Sequence, residues 1–150
     1  ECAGVGEHYQ MLEAQQDFLE SCAYLRVQSQ RTQECLMRKE DLITYAKFTG
    51  LRMLWLEQVA VSELPPEVAA WKNLVVLVIG VTTLEALDPA VVTSWSRVEE
   101  VQLHYAPKLA SLPTELLSLP RLRRVTAFGA PGCSGLAEAA PSVVQCGADQ

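Results

Sequence analysis

The sequence predicts an α/β solenoid: an N-terminal helical hairpin cap, then three to four short repeats sharing a parallel concave sheet. Two observations carry that expectation. Four stretches, at 51–56, 74–79, 98–103 and 122–127, place apolar residues at positions 1, 4 and 6 and start 23, 24 and 24 residues apart. A fixed period of this size marks stacked units, each covering the apolar face of its neighbour. The second observation concerns the segment before them. Residues 7–49 hold no glycine, and no proline occurs before Pro65, so that segment lacks the two strongest breakers of a helix.

Tyr9, Leu12, Phe18, Leu19, Cys22 and Leu25 recur at roughly helical spacing, and Leu36, Leu42, Ile43, Tyr45, Ala46 and Phe48 form a second run. Polar residues 28–32 separate them. Thr32 is suited to cap the second helix and Gly50 to stop it. The expected hairpin covers about 7–27 and 33–48, within a cap of residues 1–50.

The repeats follow at 51–73, 74–97 and 98–121, with a partial fourth at 122–129 and a cap or tail at 130–150. Positions 4 and 6 of a short strand point inward and position 5 points out. The second half of each unit also recurs. Leu64-Pro65-Pro66-Glu67-Val68 leads to Trp71, Leu87-Asp88-Pro89 to Val92 and Trp95, and Leu112-Pro113-Thr114-Glu115-Leu116 to Leu119. The column Trp71, Trp95 and Leu119 is expected in the core.

With both halves repeating, the chain resembles the leucine-rich repeat family, whose pattern is LxxLxLxx(N/C)xL followed by a convex LPxx segment. The resemblance covers about 95 of the 150 residues and implies a parallel concave sheet. The chain departs from the family at position 9. Val59, Thr82, Ala106 and Ala130 stand where the family often has asparagine, so the turns need another way to satisfy their backbone, such as water. Ala106-Pro107-Lys108-Leu109 is similar to the irregular, plant-resistance-type repeats.

Cys2, Cys22, Cys35, Cys133 and Cys146 all lie outside the three complete repeats, and none forms a CxxC. On the flanks of an array they read as disulfide staples in an oxidising compartment. If the hairpin turns near residue 30, Cys22 lies level with residues 35–38, which pairs Cys22 with Cys35. Cys133 and Cys146 flank the tail and pair with each other, leaving Cys2 over. A secreted or extracellular location follows. A cytoplasmic protein with free thiols is the alternative, and the lack of a glycosylation sequon counts towards it. Beginning at Glu1, with neither a methionine nor an apolar leader, the chain reads as a processed or excised fragment.

The outward positions hold the expected binding residues: Met53, Trp55, Val76, Val78, Val81, Gln102, His104, Tyr105, Arg124 and Phe128. A solvated strand face is mostly polar unless something covers it. This one is apolar, and tryptophan, tyrosine and arginine dominate interface energetics. A protein or peptide ligand is the expected partner. The competing reading has the N-terminal hairpin or another domain folded over the face. A homodimer through the face or through Cys2 is a third possibility, as is an intracellular structural or scaffold array.

Other function classes find little support. The formal charge is −6, with 8 acids and 5 bases in residues 1–50 and 10 and 7 in residues 51–150, so a nucleic-acid partner is not expected. Arg121, Arg123 and Arg124 form a short basic cluster, read as a solvated face before an acidic-partner site. No apolar run approaches the roughly 18 residues of a membrane span. With 2 histidines and no paired cysteines, neither metal nor cofactor is expected. No GxSxG, P-loop or HExxH motif occurs, so an enzyme is not expected. A Cys133 nucleophile would have only His104 as its base, and the glycine-rich stretch 129–135 opens no convincing helix.

Overall fold

The computed structural model describes residues 22–27 and 37–147. They form an α/β arrangement around one all-parallel sheet of six strands, stacked in sequence order. The strands are β1 (Tyr24–Val27), β2 (Met53–Val59), β3 (Val76–Thr82), β4 (Glu100–His104), β5 (Arg124–Phe128) and β6 (Val144–Cys146). Short return segments join them: α1 (Lys39–Tyr45), a 3-10 turn at Pro66–Ala70, α2 (Pro89–Thr93), a second at Thr114–Ser118, and α3 (Cys133–Ala139).

Strand register follows the repeat. Leu54, Leu77, Val101 and Val125 align, as do Leu56, Ile79, Leu103 and Ala127, and all of them are buried. Against them pack Leu64, Val68, Leu84, Val92, Leu112 and Leu116 from the return side. Proline opens two of the return segments, where its missing N–H has no helical partner to lose.

The tryptophan column lies in this core, as expected. Trp71 and Trp95 are fully buried and Leu119 nearly so. The two indoles stack with centroids 6.5 Å apart. Each buried indole N–H finds a carbonyl one repeat back: Trp71 Nε1 donates to Tyr45 O (2.9 Å) and Trp95 Nε1 to Val68 O (3.1 Å).

The expected helix over 7–27 is corrected where it can be seen. Residues 24–27 are strand β1, paired parallel with β2; residues 7–21 lie outside the described residues. Without β1, one edge of β2 would present unpaired backbone. Ala23 O accepts from the N–H groups of Arg52 (2.8 Å) and Met53 (3.0 Å). Leu25 points inward and is buried, while Tyr24 and Arg26 point out. The second expected helix is shorter than 33–48. Arg38 rather than Thr32 precedes its first turn, and its backbone N–H donates to Asp41 Oδ2 (2.9 Å). Ala46 ends it, ahead of Gly50. Thr32 lies outside the described residues.

The expected Cys22–Cys35 bridge is also corrected. Cys22 is a free thiol whose Sγ–H donates to Tyr24 O (3.3 Å). Cys22 stands two residues before strand β1 rather than in a helix. Burial pushes this thiol's pKa up. Cys2 and Cys35 lie outside the described residues. The Cys133–Cys146 disulfide is present, and it ties α3 to β6.

The tail holds more order than its composition implied. The glycine-rich stretch does open a helix, α3, with Gly132 as its N-cap. Gly132 N–H donates to Leu109 O (2.8 Å), and a Cβ there would fall 2.5 Å from Ser111 N. The glycine serves close backbone packing rather than a phosphate cradle.

In the second repeat, position 9 meets its backbone need with a hydroxyl. Thr82 is the buried polar residue of the core. Its Oγ1 donates to Val59 O (2.8 Å) and accepts from Leu84 N–H (3.2 Å). Between neighbouring repeats, Thr83 N–H reaches Val59 O (3.1 Å) and Thr82 N–H reaches Tyr105 O (3.0 Å).

Candidate binding face

Three columns of side chains cross the outer face of the sheet. The first runs Tyr24, Met53, Val76, Glu100 and Arg124. The second runs Arg26, Trp55, Val78, Gln102, Thr126 and Gln145. The third runs Glu57, Gly80, His104 and Phe128. Nine of the ten expected residues (Met53, Trp55, Val76, Val81, Gln102, His104, Tyr105, Arg124 and Phe128) are partly or fully exposed along these columns and their ends. Val78 is the exception. It lies outward in register between Trp55 and Gln102, yet its short side chain is only 4% exposed.

Hydrogen bonds hold the polar members in place. Arg124 Nη1 lies 3.7 Å from Glu100 Oε1, and Gln102 Nε2 donates to the same oxygen (2.8 Å). His104 Nε2 sits 3.3 Å from Gln102 Oε1, and its ring meets Phe128 edge-on at 5.3 Å. Further along, Trp55 Nε1 donates to Glu57 Oε1 (2.9 Å) and the Arg26 guanidinium lies 4.2 Å over the indole. Each side chain is thereby restrained before any partner arrives, which lowers the ordering entropy of association. The Arg124–Glu100 pair itself adds at most about 1 kcal/mol at such an exposed place.

The strand ends carry the most distinctive geometry. Gln58, Val81, Tyr105 and Gly129 all take positive φ, at 59°, 47°, 56° and 66°. They hold equivalent positions, one residue past the third column. A left-handed backbone is unfavourable for any residue with a Cβ, and most so for a β-branched one. Val81 (52% exposed), Tyr105 (64%) and Phe128 (41%) are three of the four exposed large hydrophobics among the described residues. They adjoin one another along this rim. The rim is seated from behind: Gly147 N–H donates to Ala127 O (3.0 Å), and a Cβ at Gly147 would fall 1.6 Å from Phe128 Cδ1.

Sequence reasoning missed Arg26, Gln145 and the left-handed rim. Arg26 was assigned to a helix, and Gln145 to a tail without a strand. Gly129 was the available signal for the rim, being the glycine at the position that Gln58, Val81 and Tyr105 share.

A shallow depression of about 300 Å³ between the turn after β4 and the start of α3 is lined by small and aliphatic residues such as Ser111, Thr114, Ser134 and Leu136, and by no titratable group. Among the described residues no three His, Cys, Asp or Glu side chains converge on a metal-sized site. Among the same residues, no helix is long and apolar enough to cross a membrane. Cys133 is consumed by its disulfide, so it has no thiol to act as a nucleophile. The chain matches no family model and no curated protein.

Proposed function

We propose that residues 51–129 are a leucine-rich repeat solenoid capped at 1–50 and 130–150, acting as a non-catalytic recognition module. It binds a protein or peptide through the concave face of its sheet. One observation carries this reading: the exposed rim of Val81, Tyr105 and Phe128, two of whose backbone positions (Val81 and its equivalent Tyr105) are left-handed without glycine. Large apolar side chains left in water along one rim mark a surface that something covers. On the same face lie Trp55 and Arg124, residue types that anchor interfaces, along with Met53, Val76, Gln102 and His104. The Cys133–Cys146 disulfide supports a secreted or extracellular setting.

The test is affinity capture from native extract with the wild-type chain against Trp55→Asp/Tyr105→Asp. A specific partner captured by the first and lost by the second, with unchanged circular dichroism, supports the reading. A partner that survives the double substitution overturns the assignment of this face. Sedimentation of the pure chain distinguishes a self-associating array, because the same substitutions would then dissolve a dimer.

A second reading, an intracellular structural array, is favoured by the free Cys22 thiol. Mass spectrometry without reductant decides between the two. An intact Cys133–Cys146 bridge in protein from its native source favours the first, and five free thiols favour the second.

A further inference from the structure

The turns that lead into the strands carry a charge pattern separate from the rim. Arg52, Lys72, Arg97, Arg121, Arg123 and Arg124 gather along this edge, and all six are exposed. The carboxylates beside them are Glu99, 3.4 Å from Arg123, and Glu100, 3.7 Å from Arg124. Among the described residues Arg52, Lys72 and Arg121 have no carboxylate within ion-pair distance. Other acids of the repeats (Glu57, Glu63, Glu67, Glu85, Asp88 and Glu115) lie towards the far strand ends or at the starts of the return segments. In a chain of net charge −6, one edge is therefore distinctly cationic.

The row is held in register. Asn73 Nδ2 donates to Thr49 O (3.0 Å), and Arg97 Nη1 donates to Asn73 Oδ1 (2.9 Å), so the turns of successive repeats stack. Neighbouring strands stand about 4.8 Å apart. Arg97 and Arg121 hold equivalent places in successive turns, and Lys72 precedes Asn73, which holds that place one turn earlier, so three adjacent turns each carry a cation. Five of the six cations are arginine, whose planar fork grips an oxyanion through two N–H groups at once.

The chemistry of the edge narrows its partner. Val81, Tyr105 and Phe128 lie at the opposite strand ends, and Tyr24 lies on the outermost strand. The turns that carry Lys72, Arg97 and Arg121 hold none of the exposed large hydrophobics among the described residues, so a folded protein finds little apolar area to desolvate there. A single-stranded nucleic acid would find no aromatic platforms between the cations. A flexible linear polyanion needs neither, because release of its counterions drives association. In the oxidising compartments where disulfides persist, the abundant linear polyanions are sulfated polysaccharides. We propose that this edge binds a linear sulfated polysaccharide, its sulfates meeting Lys72, Arg97 and Arg121 on three adjacent turns. The proposal shares the extracellular setting of the preceding reading, while Lys72, Arg97 and Arg121 are not among that reading's binding residues.

Immobilised heparin is the probe, eluted with a salt gradient. The wild-type chain stays bound at about 0.15 M salt, where charges beyond roughly 8 Å are screened. Lys72→Gln/Arg97→Gln/Arg121→Gln binds at least about tenfold more weakly, and its plot of log affinity against log salt is shallower by roughly 2 to 3. The control Arg38→Gln/Lys39→Gln/Lys108→Gln removes equal charge from exposed positions elsewhere and keeps wild-type retention. Both variants keep the wild-type circular dichroism. Loss of wild-type retention at physiological salt overturns the proposal, and so does equal weakening in the two triple variants. Equal retention on desulfated heparin or on single-stranded DNA overturns the sulfated-polysaccharide assignment.

Discussion

Replacing Thr82 with valine tests how this chain manages without asparagine at position 9. The substitution keeps the shape of the side chain and removes its hydroxyl. Val59 O loses the Thr82 bond but keeps Thr83 N–H at 3.1 Å, so it stays satisfied. Leu84 N–H, which donates to Thr82 Oγ1 at 3.2 Å, loses its acceptor inside a buried turn. An orphaned buried donor costs about 1–3 kcal/mol. The added methyl returns up to about 0.8 kcal/mol of apolar burial. The net expectation is a loss of about 1.5 kcal/mol, or roughly 3–6 °C in Tm for a chain of this size. Urea titration reads the stability, and an unchanged slope verifies that the same surface is exposed on unfolding. Hydrogen exchange reads the local effect: the Leu84 amide should lose protection while core amides of β3 change only with global stability. A Thr82→Val variant within about 0.5 kcal/mol of wild type (the ordinary range for surface changes), with Leu84 still protected, would refute the reasoning.

Three further perturbations follow from the same geometry. Opening the Cys133–Cys146 bridge by Cys133→Ser/Cys146→Ser frees a loop of sequence separation 13. The expected loss is about 2–3 kcal/mol, read by denaturation with and without reductant, where only the wild type should respond to reductant through this bridge. Tyr45 has its pKa pushed up to about 12 by burial and, secondarily, by Asp41. A raised folded-state pKa means that the stabilisation is complete below pH 10 or so and is lost as pH rises towards 12. Tyr45→Phe should abolish a decline of about 2–3 kcal/mol over that window, seen as a shrinking stability difference between the two proteins as pH rises. Trp71→Ala removes a fully buried indole and its bond to Tyr45 O; a loss of about 3–5 kcal/mol is expected in urea unfolding.

Much of the fold was legible because strand alternation and repeat period are local and periodic signals. Leu54 and Leu56 alternate with Trp55 as any strand must, and the same alternation one period later set the register of β3, β4 and β5. Burial of Trp71 and Trp95 was equally legible, since two tryptophans one period apart stack only if both face the core. The N-terminal segment misled for the opposite reason. Freedom from glycine and proline permits a helix but does not require one, and Tyr24–Val27 was claimed by the open edge of β2.

The candidate face divides in the same way. Period and alternation determined which side chains leave the sheet, because each strand alternates its side chains between two faces wherever it sits. Only the tertiary structure decided how each one behaves there. Val78 is covered because longer side chains stand on both sides of it in register. Val81 and Tyr105 turn left-handed because the chain must leave each strand by the same bend that Gly129 makes in the last repeat. The cationic edge exists because stacking brings three adjacent turns together, aligning Arg97 and Arg121 with Asn73, the neighbour of Lys72 in the chain. Composition, periodicity and side-chain alternation are properties of the chain alone. Exposure, backbone strain and charge adjacency are properties of what the chain is packed beside.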